Sequence, residues 1–125
     1  MTSVLNVDTI ADKAGTGPVA LTKQNGAKHW SMIANDGTPS ISNSLNASSV
    51  SDDATGNFTI SLSSAMENTN QAALGMVSNS ASNPSTSTCT GQLETTSTLA
   101  VETLNSSSAS TDVNFNQFAI QGDLA

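Results

Sequence analysis

One histidine, one cysteine, three lysines and no arginine leave this chain of 125 residues few side chains that do chemistry. Serine catalysis needs a base within hydrogen-bonding reach of the nucleophile, and the sole candidate is His29, beside Trp30. With 37 Ser and Thr residues a triad can be drawn on paper almost anywhere, so the composition gives His29 a structural or surface role. Asp52 and Asp53 are the one adjacent acidic pair. Calcium takes roughly six to eight oxygen ligands at defined offsets, and only these two carboxylates and the Thr55 hydroxyl are near in sequence, whereas a turn explains Asp52-Asp53-Ala54-Thr55-Gly56 directly. Glycoside hydrolysis needs two carboxylates in a cleft, commonly lined by aromatic rings, and one Trp, three Phe and no Tyr supply little lining. Cys89 lies in a run of small polar residues and reads as a bystander thiol, because a lone cysteine builds no internal disulfide framework. The three Asn-x-Ser/Thr triplets at Asn46, Asn57 and Asn105 arise by chance in so Asn- and Ser-rich a chain. The reading is therefore no catalytic residue, no metal ligand set and no cofactor.

The elements that carry these residues are short and β-like. Alternation of apolar and polar residues between turn signals dominates, and helical periodicity is absent. Phe58, Ile60 and Leu62 alternate with Asn57, Thr59, Ser61 and Ser63, which predicts an antiparallel strand with one face buried. Before it, Ile41, Leu45 and Ala47 share one parity, and a slip to Val50 predicts a bulge at Ser48-Ser49. Lys28 to Ala34 places Trp30 and Met32 on one face, and Asn35-Asp36-Gly37 reads as a tight turn. Gln71 to Ser78 is a further strand candidate, with Leu74 and Met76 on the parity opposite Ala73, Gly75 and Val77. Ser78 to Gln92 reads as a long exposed loop with room for a short strand near its end. Leu93 to Leu104 carries Leu99 and Val101 at strand spacing. Val113 and Phe115, followed by Phe118 and Ile120, predict a second bulge.

Composition sets the size of the core. Ser, Thr and Asn fill 50 positions, whereas Leu, Ile, Val and Phe fill 24. So little apolar area barely offsets chain entropy, and thin-cored domains gain burial by association with their own copies. All three lysines, Lys13, Lys23 and Lys28, precede residue 29, while eight acidic residues follow it and the net charge is −7. Binding nucleic acid requires Lys or Arg to displace condensed counterions, so no nucleic-acid partner is expected, and anionic membrane surfaces are disfavoured likewise. No apolar run approaches the ~20 residues that span a bilayer, and the first residues lack the basic and apolar regions of a secretory signal. No membrane insertion and synthesis in a cytoplasm are expected.

Several runs resemble small structural proteins of marine bacteriophages, above all the tail-fibre-like proteins of phages that infect cyanobacteria. Leu5-Asn6-Val7-Asp8-Thr9-Ile10 followed by Gly15-Thr16-Gly17-Pro18-Val19 is similar to their opening, and Gly26-Ala27-Lys28-His29-Trp30 to their Ala-Lys-x-Trp step. Leu45 to Asp52, Thr55 to Ile60 and Ala65-Met66 resemble their central hairpin. Val101 to Ser107, with Asp112 and Gly122-Asp123, resembles the closing one. Glu67 and Gln71 depart from the pattern, which favours Pro and an aromatic there, and residues 75 to 93 match none of it.

The resulting expectation is all-β: a small antiparallel β-sandwich over residues 31–125 with an extended N-terminal arm over residues 1–30, assembled as a homotrimer. The interface candidates are Val4, Leu5, Val7 and Ile10 in the arm and Trp30 at its junction, although Trp30 suits ordinary core burial equally well. The resemblance implies a non-enzymatic phage virion protein, a tail fibre or fibre-like appendage whose partners are its own copies, a tail adaptor or nozzle, and a host surface glycan or protein. The alternative is a capsid decoration or head-fibre protein whose arm grips the capsid. Either way the location is the virion.

Overall fold

Strands form where small polar and β-branched residues alternate with apolar ones, and eight such runs do so in the computed structural model, which describes residues 27–78 and 86–122. They are β1 (Ala27–Asn35), β2 (Pro39–Leu45), β3 (Ala47–Ala54), β4 (Asn57–Leu62), β5 (Ala72–Ser78), β6 (Thr88–Thr95), β7 (Thr98–Leu104) and β8 (Phe115–Gln121). No helix occurs among the described residues. One sheet has the order β2-β1-β8-β5 and the other β3-β4-β7-β6, every pairing antiparallel. The fold is the expected small β-sandwich. β2 lies beside β3 along one flank and β5 beside β6 along the other.

The core lies between the sheets. Phe58, Ile60 and Leu62 of β4 point inward as their alternation predicts, joined by Leu99 and Val101 of β7, Leu93 of β6, Ile33 of β1, and Phe118 and Ile120 of β8. The Phe58 and Phe118 rings meet edge-on across the sheets, 6.0 Å apart at 71°. That geometry adds about 0.5–1.5 kcal/mol beyond area burial.

Two corners depend on backbone that few residues adopt. Gly37, with φ 85°, turns β1 into β2, and Gly56, with φ 72°, turns β3 into β4. The chain passes from the first sheet to the second at Asn46, whose φ is 63°. Its carboxamide clamps the segment beyond β4: Ser64 N donates to Oδ1 at 2.7 Å and Nδ2 donates to Ser64 O at 3.0 Å. Ile41 to Val50 is thus two strands in two sheets. The bulge expected at Ser48-Ser49 is present as a register shift between Ala47 and Ser49 against β4.

Other boundaries move. β1 begins at Ala27 and pairs with both β2 and β8, so Ala27 to Trp30 belong to the sheet and not to an arm. Thr88 to Gln92, read mainly as loop, is the first half of edge strand β6, which pairs with β7 through the Thr96-Ser97 turn. In place of the second bulge, Asn116 turns inward and Phe115 outward, with Val113 buried just before the strand. The buried Asn116 donates from Nδ2 to Val113 O at 2.6 Å, while its Oδ1 has no hydrogen-bond partner among the described residues.

Candidate interaction surface

Candidate sites of chemistry are scattered by this fold. His29 points into the sandwich and is fully buried. Its Nε2 lies 3.1 Å from the Ser31 hydroxyl, while Nδ1 makes no hydrogen bond among the described residues. Desolvation holds its pKa below the usual imidazole value, with the backbone of Asn46 and Leu45 pulling weakly the other way. A ring sealed from solvent with no carboxylate on Nδ1 lacks both substrate access and the orienting group of a catalytic dyad. Asp53 stands exposed on the second sheet, where Thr59 Oγ1 donates to its Oδ2 at 2.7 Å, and Asp52 sits beside it on β3. No cluster of three metal-ligating side chains occurs among the described residues. Cys89 is partly buried against the core, and desolvation raises its thiol pKa. Thiolate, not thiol, is the nucleophile, which leaves Cys89 poorly reactive.

What the fold does assemble is an apolar surface on the outward side of the first sheet. Register aligns Leu45 of β2, Trp30 of β1, Ala119 of β8 and Leu74 of β5 in one row, and Asn43, Met32, Gln117 and Met76 in the next. Trp30 is 37% exposed, Met32 38%, Leu45 48%, Leu74 57% and Met76 72%, so one face carries all the exposed large apolar side chains of the described residues. A shallow groove of about 420 Å³ runs between the Trp30–Met32 and Leu74–Met76 pairs, floored by β8.

The cause lies on the other side of the same strands. In β1 the inward parity is His29, Ser31, Ile33 and Asn35, polar except for Ile33. In β5 it is Ala73, Gly75 and Val77. A Cβ at Gly75 would lie 2.7 Å from both Cys89 Sγ and a Phe118 ring carbon, so the core has no room for Leu74 or Met76 there. Both strands therefore turn their larger apolar residues outward.

Charge separates the two outer faces. The strands of the first sheet hold a single charged residue, Lys28, whereas those of the second hold Asp52, Asp53, Glu94 and Glu102. Most other outward positions of the second sheet are hydroxyls and amides such as Thr59, Ser61, Gln92 and Thr98, with Ala100 and Leu104 of β7 among them.

Of the sequence-derived interface candidates, Trp30 lies in the middle of this surface, on the outside of the sandwich and not in its core. Val4, Leu5, Val7 and Ile10 lie outside the described residues. Sequence reasoning missed Leu45, Leu74 and Met76 as partners of Trp30, and the available signal was the near absence of charge from the three strands that carry these four residues. Comparison with protein-family models, curated proteins and solved structures finds no match to this chain.

Proposed function

We propose that this chain is a non-enzymatic structural protein of a phage virion, a trimeric tail fibre or fibre-like appendage. The observation that carries the reading is the outward apolar face around Trp30 on a sandwich whose opposite face is polar. A face of that kind on a small all-β domain serves association rather than chemistry. The buried His29, whose Nε2 lies 3.1 Å from the Ser31 hydroxyl, supports a structural role for the interior. The runs that resemble marine-phage fibre proteins fall on β1, on the β3–β4 hairpin and on β7 with the turn after it. Residues 1–26, and in them Val4, Leu5, Val7 and Ile10, dock on another virion protein, and loops at the sandwich ends meet the host surface. Loops vary without disturbing the sheets, and three weak contacts per fibre gain adhesion by avidity.

Deletion of residues 1–24 tests the docking role, because β1 begins beyond the cut. The shortened chain is expected to fold and to be missing from purified particles, and incorporation at the normal level refutes docking by the arm. Exchange of residues 80–85 for a Gly/Ser linker of equal length leaves β5 and β6 intact. Slower adsorption to host cells is expected, and an unchanged rate removes this segment from the receptor-binding role.

A further inference from the structure

The outer face of the β2-β1-β8-β5 sheet invites a definite occupant. We infer that it is the trimer contact: three copies of the chain turn this face toward a common threefold axis, and Leu45 on β2 of one copy packs against Leu74 and Met76 on β5 of the next. The inference rests on the trimeric reading proposed above and names the surface that builds it.

Charge leaves this face as the one through which the chain's own copies can meet. A chain of net charge −7 repels its copies. Self-association is favourable only through a face free of carboxylates, and this sheet contributes none from its strands. The other outer face offers Asp53, Glu94 and Glu102 and is unsuited to meeting itself. Parity points the same way. A strand that puts Trp30 and Met32 outward and His29 and Ser31 inward inverts the usual half-buried pattern, as a strand covered on both faces can.

The dimensions of the face accommodate three copies. Four strands at ~4.8 Å spacing make a face roughly 19 Å wide, and about seven outward-spanning residues make it roughly 23 Å long. Each copy then turns roughly 440 Å² of this face, in projection, toward its neighbours. Three faces ~19 Å wide around an axis stand ~5.5 Å from it, close to half the ~10 Å spacing of packed sheets. Side chains on the central strands, Trp30 and Met32 of β1 beside Ala119 and Gln117 of β8, then fill the axis. The edges meet as β2 against β5, two different patches whose repeated contact closes after three steps.

The test compares three full-length proteins at about 10 μM by light scattering coupled to size exclusion, with far-UV circular dichroism as the fold check. They are the wild type, Leu74→Glu/Met76→Glu on β5, and Thr90→Glu/Gln92→Glu at the matching outward positions of β6, which adds the same charge to the other face. The wild type and the β6 variant are expected at three times the 12.7 kDa chain mass, and the β5 variant folded at one third of that. Trp30, the only tryptophan, is expected to be shielded from iodide quenching in the wild type and severalfold more accessible in the β5 variant. A monomeric or dimeric wild type overturns the trimeric reading and this inference with it. A trimeric wild type whose β5 variant stays trimeric leaves the trimer standing and overturns the assignment of the face.

Discussion

Gly56 closes the β3–β4 hairpin at the point where β7 and the segment before β8 converge, so Gly56→Ala reads the rigidity of that end of the sandwich. Its φ of 72° costs an L-residue about 1–2 kcal/mol. The added Cβ would also stand 2.5 Å from Thr111 N, 2.7 Å from Thr103 O and 2.9 Å from Thr111 O. These are backbone atoms, which do not rotate away. Making room displaces Gly56, whose N–H donates to Asp112 Oδ1 at 2.8 Å and whose carbonyl accepts from Thr103 N at 2.7 Å. Weakening a bond to a carboxylate costs about 1.5–3 kcal/mol and a neutral one about 0.5–1.5. The total is about 3–6 kcal/mol, which lowers Tm by roughly 15–30 °C in a domain of this size. Gly37→Ala is the control, because φ there is 85° but nothing lies within 4 Å of its Cβ. It carries the strain alone, about 1–2 kcal/mol. Thermal melts followed by circular dichroism at one fixed protein concentration separate the two. Equal losses in both variants refute the argument that packing, and not φ, makes Gly56 indispensable.

Three further perturbations probe the interior. His29 is buried neutral and its pKa is lowered chiefly by desolvation; the unfolded chain takes up a proton near pH 6.5 that the fold resists, so stability is full above that pH and falls below it. The loss reaches at most about 1.4 kcal/mol by pH 5.5, and in urea titrations at pH 7.5 and 5.5 it should shrink in His29→Gln; an identical dependence in that variant excludes His29 as the source. Asp112 Oδ1 accepts from Gly56 N and, at 3.3 Å, from Asn35 Nδ2, so Asp112→Ala should cost about 1.5–3 kcal/mol and Asp112→Asn, which keeps an acceptor, distinctly less; equal denaturation midpoints for the two contradict the assigned bonds. Gly75→Ala forces Cys89 and the Phe118 ring to move and should cost about 1–3 kcal/mol, whereas Gly91→Ala, with its nearest contact at 3.5 Å, should be close to neutral; the reverse order would show that the β5–β6 flank packs differently.

The sandwich was legible in the sequence wherever alternation had its usual sense. Phe58, Ile60 and Leu62 point inward, Gly37 and Gly56 mark turns that need positive φ, and the slip from Ala47 to Val50 marks a real register shift. The boundary at residue 30 was illegible because β1 inverts that sense. Its polar parity, His29 and Ser31, is buried, and its apolar parity is outward, so Ala27 to Trp30 read as something other than a core strand. The split of Ile41 to Val50 between two sheets turns on the backbone of Asn46, one residue whose φ no periodicity announces. The outward surface escaped for a related reason. Trp30 stood out alone by its size, but its row with Leu45, Ala119 and Leu74 joins residues up to 89 positions apart and exists only once register is known.

The proposed place in a phage tail is tested most directly by a cryo-EM map of intact particles purified from cells that produce this chain. The expected density is a threefold appendage on the tail, with a sandwich of this topology in each subunit and the Trp30 face turned toward the axis. A particle with no density for the chain, or with the chain as a lone subunit whose Trp30 face is open to solvent, contradicts it.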